Sequence, residues 1–128
     1  MKGSPSPKKF IEWFDPRGRS AGGWGFILNR VTGLGLVLYL SMHLIVLFQL
    51  TRGAEAYDGF VTMMKNPIFI IGELLVVAAG IMHGINGIRI GLTSFGIGGR
   101  HQFAMLLVVA CLSGVLILFF AIRMLGGA

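Results

Sequence analysis

Long apolar runs alternate with short polar segments along this chain. Residues 26–50, 67–88 and 103–122 are almost continuously apolar, and their only charged residues are Arg30 and Glu73. The hydrocarbon core of a membrane is about 30 Å thick and takes about 20 helical residues to cross. Each run meets that length. The pattern therefore predicts an all-α membrane protein with three transmembrane helices, at about 26–50, 67–90 and 103–124.

Lysine and arginine residues predict the orientation of these helices. Cytoplasmic segments of membrane proteins carry an excess of positive charge. Eight basic residues fall on the side of the N-terminus and three on the other, which predicts that the N-terminus is inside. Residues 1–24 are then a cytoplasmic segment, residues 25–125 a three-helix anchor domain, and residues 51–66 an outward-facing loop. The two sets are Lys2, Lys8, Lys9, Arg17, Arg19, Arg30, Arg89 and Arg100, and Arg52, Lys65 and Arg123.

Composition narrows the class of protein. Hydrophobic residues make up 55% of the chain and charged residues only 12%, about half the fraction of charged residues in soluble domains. This excludes an ordinary water-soluble enzyme and a disordered chain. Six of the eleven basic residues precede residue 31, which indicates a topology signal and no nucleic-acid partner. The lone Cys111 excludes an intrachain disulfide and a multi-cysteine iron–sulfur site built from this chain alone.

The N-terminal segment predicts two further properties. Its aromatic and apolar residues are interspersed with basic ones, which is typical of a short interfacial helix or a docking edge for a soluble partner; a mobile tail is the alternative. It lacks the Arg- and Ser-rich amphipathic pattern of a mitochondrial presequence, which favours the plasma membrane of a bacterium or archaeon. The apolar residues are Phe10, Ile11, Trp13 and Phe14.

Ionisable residues inside the spans are candidate site residues, because the bilayer makes them costly. His83 lies among glycines at helical spacing, a pattern that serves close helix packing but also suits a haem ligand beside a flat macrocycle. His43 and Asn29 share one face of the first helix, and both histidines are predicted to face the interior of a bundle. They lie about 13 Å apart along the membrane normal. One haem between them is therefore not expected, and a bis-histidine haem at His83 needs another chain.

Three charged residues complete the candidates. Arg30 and Arg89 lie near the inner ends of their helices, at the depth of a haem propionate or a quinone head group; snorkelling to the interface is the alternative. Glu73 is expected to be a hydrogen-bonded packing residue, with proton handling or cofactor contact as the alternative. His101, in a loop beside Arg100, is expected to be solvated.

Two runs of residues resemble the cytochrome b membrane-anchor subunit of succinate dehydrogenase and fumarate reductase, respiratory complex II. Residues 83–89, His-Gly-Ile-Asn-Gly-Ile-Arg, are similar to that family's His-x-x-Asn-Gly-Ile-Arg motif. Residues 28–33, Leu-Asn-Arg-Val-Thr-Gly, resemble its first-helix motif His-Arg-x-[Ser/Thr]-Gly. The order, the spacing and the three spans also agree over residues 24–124.

The resemblance implies a haem b-containing anchor of succinate:quinone oxidoreductase, which passes electrons from an iron–sulfur subunit to membrane quinone. His83 would be an axial ligand of haem iron, and Arg30 would line the quinone site and reach a propionate. Asn29 and Arg89 are further cofactor-binding candidates. The implied partners are a second small membrane anchor subunit, which supplies the other histidine, an iron–sulfur subunit and a flavoprotein subunit. FAD and the iron–sulfur clusters would reside only in those partners.

Departures from the family pattern leave alternatives open. Asn29 stands where the family has a histidine, Phe26 where bacterial members often have a quinone-site serine, and Ile90 where a histidine often follows. His43 resembles a first-helix histidine of two-haem members and is a possible ligand of a second, distal haem. The alternatives are a haem-free structural anchor, a quinol:fumarate reductase anchor, and a small ion-coupled transporter that uses Glu73.

Overall fold

Four α-helices form the fold, which the computed structural model describes for residues 8–126. No strand occurs within these residues. Three of the helices are long and apolar enough to cross a membrane, which confirms the predicted all-α membrane protein with three spans. The helices are α1 (Ala21–Phe48), α2 (Ala54–Met64), α3 (Pro67–Ser94) and α4 (Gln102–Gly126), with short 3-10 turns at Phe10–Trp13, Gln49–Arg52 and Gly99–His101.

Capping residues set where the long helices begin. The Ser20 side chain accepts a hydrogen bond from the backbone N–H of Gly23, so that α1 starts five residues before the predicted position 26. The Asn66 side chain caps α3 in the same way, and Pro67 occupies its first position, as predicted. Helix α3 continues to Ser94, four residues beyond the predicted end of the second span at residue 90.

Two connecting segments differ from the prediction. The outward loop predicted over residues 51–66 contains the helix α2, whose Tyr57, Phe60 and Met64 are half-buried at helical spacing. The N-terminal segment forms a 3-10 turn at Phe10–Trp13 rather than an α-helix. Both segments are too short for their hydrophobic pattern alone to distinguish a helix from a loop.

Polar residues and glycines, rather than apolar side chains, fill the interior. Among residues 8–126 only two apolar side chains, Ile27 and Val109, are buried, whereas three polar ones are: Asn86, Arg89 and Ser113. Membrane helices associate through small residues and interhelical hydrogen bonds, because lipid tails are as apolar as leucine. The exposed apolar faces of α1 and α4 are therefore the surfaces expected to face lipid or a partner chain.

The connection between α3 and α4 brings the start of α4 back beside the end of α3. Gly96 and Gly98 adopt positive φ angles of 81° and 73°, which favour glycine. A Cβ atom at Gly98 would also collide with the Met105 sulfur. This tight turn places Gln102 within hydrogen-bonding reach of Arg89.

Candidate functional site

Helices α1 and α3 run antiparallel and approach each other through glycines. A Cβ atom built at Gly33 would lie 3.0 Å from His83 Cε1, and one built at Gly80 would lie 4.0 Å from Leu36. These two pairs fix the register of α1 against α3. From Gly33 to Leu36 the chain advances three residues along α1, and from His83 to Gly80 it goes back three residues along α3. His83 thus packs directly against the backbone of α1.

Hydrogen bonds to α1 fix the tautomer of His83. Its Nδ1 lies 3.0 Å from the Asn29 carbonyl oxygen and 3.3 Å from the Thr32 hydroxyl. The carbonyl can only accept, and Thr32 donates its own proton to the Leu28 carbonyl at 2.8 Å. Nδ1 must therefore carry the proton. In the neutral ring the lone pair is then on Nε2, and Nε2 has no hydrogen-bond partner within residues 8–126.

A cavity of about 470 Å³ lies beside His83 and opens on the surface of the chain. We call it the His83 cavity. Its size falls within the range of about 300–1,000 Å³ typical of small-molecule sites. Three of the five sequence-predicted site residues, His83, Asn29 and Arg30, line it together, whereas Arg89 and His43 do not. The full lining is Phe10, Phe14, Phe26, Asn29, Arg30, Gly33, Leu34, His83 and Ile90.

The N-terminal segment holds Arg30 at this cavity. Arg30 Nη1 donates to the Trp13 carbonyl oxygen at 3.1 Å, and the guanidinium carbon lies 4.4 Å from the centre of the Trp13 ring, a cation–π contact. Arg19 in turn donates to the carbonyl oxygens of Glu12, at 2.7 Å, and Asp15, at 3.0 Å. Arg30 is therefore half-buried and held in place by these contacts.

Arg89 lies inside the bundle, between all three long helices. Its Nε donates to Asn86 Oδ1 at 2.8 Å, and its Nη1 donates to Gln102 Oε1 of α4. Asn86 Nδ2 donates to the Gly25 carbonyl oxygen of α1 at 2.6 Å. Only 2% of Arg89 is exposed, so that it neither snorkels nor reaches the His83 cavity.

The remaining ionisable candidates lie apart from this site. The side chain of His43 is exposed and stacks on Tyr39 of its own helix at 5.5 Å. Its predicted place in the interior of a bundle that includes a partner chain stays a prediction. Glu73 is also exposed and makes no hydrogen bond within residues 8–126, so that its expected packing role stays a prediction. His101 is exposed, as expected for a solvated residue.

The sequence does not indicate the contacts of several residues that shape the site. Trp13 and Gln102 lie far along the chain from their arginine partners, and no local spacing links them. Phe10 and Phe14 are predicted only as apolar residues of the N-terminal segment; their rings meet edge to face at 5.3 Å, and both line the His83 cavity. No group of three or more metal-ligating side chains occurs in the part of the chain that the structure describes.

Comparison with known proteins now identifies the family. The model of the succinate dehydrogenase/fumarate reductase transmembrane subunit matches residues 16–122. The chain belongs to this family. It is similar to a succinate dehydrogenase hydrophobic membrane anchor subunit of Halobacterium salinarum, 29% identical over 77% of this chain and 76% of the relative. It is also similar to the succinate dehydrogenase 2 membrane subunit SdhC of Mycobacterium tuberculosis, 30% identical over 69% of this chain and 65% of the relative.

Family membership confirms the resemblance carried by residues 28–33 and 83–89. Both motifs lie within the matched range, and they meet in space at the contact between α1 and α3. Together with its three spanning helices, this makes the chain a multi-pass membrane subunit of a succinate dehydrogenase-type complex.

Proposed function

We propose that this chain is the haem b-binding anchor of a succinate:quinone oxidoreductase, with His83 as one axial ligand. The observation that carries the proposal is the 3.0 Å contact between His83 Nδ1 and the Asn29 carbonyl oxygen. The Nδ1–H of His83 is committed to this carbonyl, which leaves Nε2 of the neutral ring as a lone-pair donor. Metal-ligating histidines characteristically donate their other ring N–H to such a carbonyl.

The surroundings of His83 fit a flat, carboxylate-bearing group. Gly33 presents no side chain where a Cβ would press on the imidazole. Arg30, on the wall of the same cavity, can hold a carboxylate or polarise a carbonyl through its remaining N–H groups. Haem, when bound, would supply one-electron transfer. The cavity is open, and neither His43 nor His101 lines it, so a second axial ligand would come from the partner anchor subunit.

Arg30 is proposed to contact quinone from the wall of the His83 cavity. Trp13 fixes its guanidinium through a backbone hydrogen bond and a ring contact, which leaves fewer conformations to lose on ligand binding. Asn29 positions His83 through its backbone carbonyl, and its side chain accepts a hydrogen bond from Asn86 at 3.4 Å. His43, exposed at the surface, remains a candidate ligand of a second haem only if a partner chain covers it.

The side of the membrane that carries the N-terminus is proposed to face the cytoplasm and the soluble subunits. Most basic residues lie on this side, in accordance with the positive-inside rule. Phe10 and Ile11 are 72% and 84% exposed, a surface suited to an iron–sulfur subunit that is itself bound to a flavoprotein subunit. Similar proteins in an archaeon and a bacterium favour a plasma-membrane location.

Replacement of Arg30 by alanine tests the quinone role. We expect quinone reduction by succinate to fall about 10- to 100-fold, because hydrogen bonds to a charged group contribute about 1.5–3 kcal/mol. Succinate oxidation with a soluble dye acceptor, which bypasses the membrane site, should stay unchanged. Both rates are measured on the purified complex.

Arg100→Ala is the matched control, because Arg100 is an exposed arginine on the same side of the bundle. It should leave both rates unchanged. Equal loss of quinone reduction in both variants, or full quinone reduction in Arg30→Ala, would show that Arg30 has no specific role at the quinone site.

A further inference from the structure

Arg89 is a buried positive charge with no acidic partner in the part of the chain that the structure describes. Within residues 8–126 no carboxylate lies within ion-pair distance of its guanidinium, and its two hydrogen bonds go to neutral amides. Its Nη2 is buried without a hydrogen-bond partner. The guanidinium keeps its proton in proteins. Its charge is therefore screened neither by water nor by a counter-ion within residues 8–126.

A chain of hydrogen bonds links this charge to His83. Arg89 Nε holds Asn86 Oδ1, which turns the Asn86 amide so that Nδ2 faces α1. Nδ2 then donates to the Gly25 carbonyl at 2.6 Å and lies 3.4 Å from Asn29 Oδ1. The link to His83 then runs through Asn29 itself, whose backbone carbonyl oxygen accepts the hydrogen bond from His83 Nδ1. Arg89 and His83 are six residues apart on α3, which is about 9 Å along the helix axis.

The position of this charge has a direct electrostatic consequence. Inside a protein the effective dielectric constant is far below that of water, and a charge acts over longer distances. A fixed positive charge stabilises a nearby electron, so it favours the reduced form of any group held at His83.

We propose that Arg89 is a positioning residue that raises the reduction potential of the group bound at His83. It would act through its charge and through the Asn86–Asn29 hydrogen bonds, without touching that group. The inference rests on the proposed haem ligation by His83. It assigns to Arg89 a role different from the propionate or quinone contact expected from sequence, because Arg89 does not line the His83 cavity.

The substitution Gln102→Glu tests this inference with little change of shape. The amide oxygen of Gln102 already accepts a hydrogen bond from Arg89 Nη1. A carboxylate oxygen in its place would keep this hydrogen bond and would compensate the positive charge of Arg89. The midpoint potential of the haem, measured by optical redox titration of the purified complex, should fall, while the low-spin absorption spectrum stays that of the parent. Gln49→Glu introduces the same charge at the opposite end of α1 and should leave the potential unchanged.

A second pair of variants keeps the test decisive if Gln102→Glu does not assemble. Arg89→Lys and Arg89→Gln both lose the forked guanidinium, but only the glutamine removes the charge. The potential should fall further in Arg89→Gln than in Arg89→Lys. An unchanged potential in Gln102→Glu, or equal shifts in the two Arg89 variants, would overturn the inference. A parent complex that contains no haem would instead overturn the proposed function.

Discussion

Replacement of His83 by alanine is expected to remove haem b from the complex. His83 lines the His83 cavity, and the hydrogen bond from its Nδ1 to the Asn29 carbonyl orients the ring. Alanine has no ligand atom, and the space it leaves lies against Gly33, which has no side chain to replace it. The haem content should fall by one per complex, measured from the reduced absorption spectrum at known protein concentration.

His101→Ala is the control for this substitution, because His101 is an exposed histidine at the same end of the bundle. It should retain the parental haem content. Retention of the complete haem spectrum by an assembled His83→Ala complex would mean that His83 is an interhelical hydrogen-bonding residue and that the ligand lies elsewhere.

Substitution of Gly25 by alanine is expected to weaken the packing of α1 against α3. A Cβ atom at Gly25 would collide with the Arg89 guanidinium and lie 3.2 Å from Asn86 Oδ1. Arg89 is almost fully buried and bonded to two helices, so it cannot move aside without losing hydrogen bonds. Overpacking of this kind costs about 1–3 kcal/mol. The thermal transition of the purified complex should shift to lower temperature.

Gly35→Ala is a matched control on the same helix. A Cβ atom at Gly35 meets nothing within 4 Å, and both substitutions change backbone freedom in the same way. The thermal transition of Gly35→Ala should stay close to that of the parent. Equal transitions for Gly25→Ala and Gly35→Ala would contradict the tight packing of Arg89 against α1.

The fold could be predicted from sequence because hydrophobic length decides it. Three runs of about 20 apolar residues have few alternatives in a membrane protein. Helix ends were harder to predict, since Ser20 caps α1 ahead of a glycine-rich stretch that lowers the apparent helix propensity. Helix α2 was not predicted because its many polar residues give a sequence pattern like that of a loop. Only three of its residues are half-buried, too few for a clear helical pattern.

Part of the candidate site was also accessible from sequence. His83, Asn29 and Arg30 lie in two short motifs, and helical spacing places each motif on one face. The location of Arg89 could not be predicted from the sequence. Helical spacing gives the depth of a residue in the membrane but does not show which neighbouring helix it contacts. Its burial depends on Gln102 of α4 and on the missing side chain of Gly25, contacts that only the packed helices reveal.

The orientation of His43 shows the same limit of sequence reasoning. It shares a helical face with Asn29 and Gly33, yet its side chain is exposed, because α1 is little covered by α3 and α4 over its second half. Glu73 is likewise exposed, on α3. Both residues are therefore available to a partner chain, and haem ligation by His43 remains a prediction.

The number of haems per complex is the most direct test of haem binding by this chain. A pyridine haemochrome assay on the complex purified through this subunit gives that number, independently of any substitution. We expect at least one haem b per copy of this chain, held by His83, and two if a partner chain completes a site at His43. A fully assembled complex with no haem would show that His83 does not hold haem and leave the chain as a structural anchor.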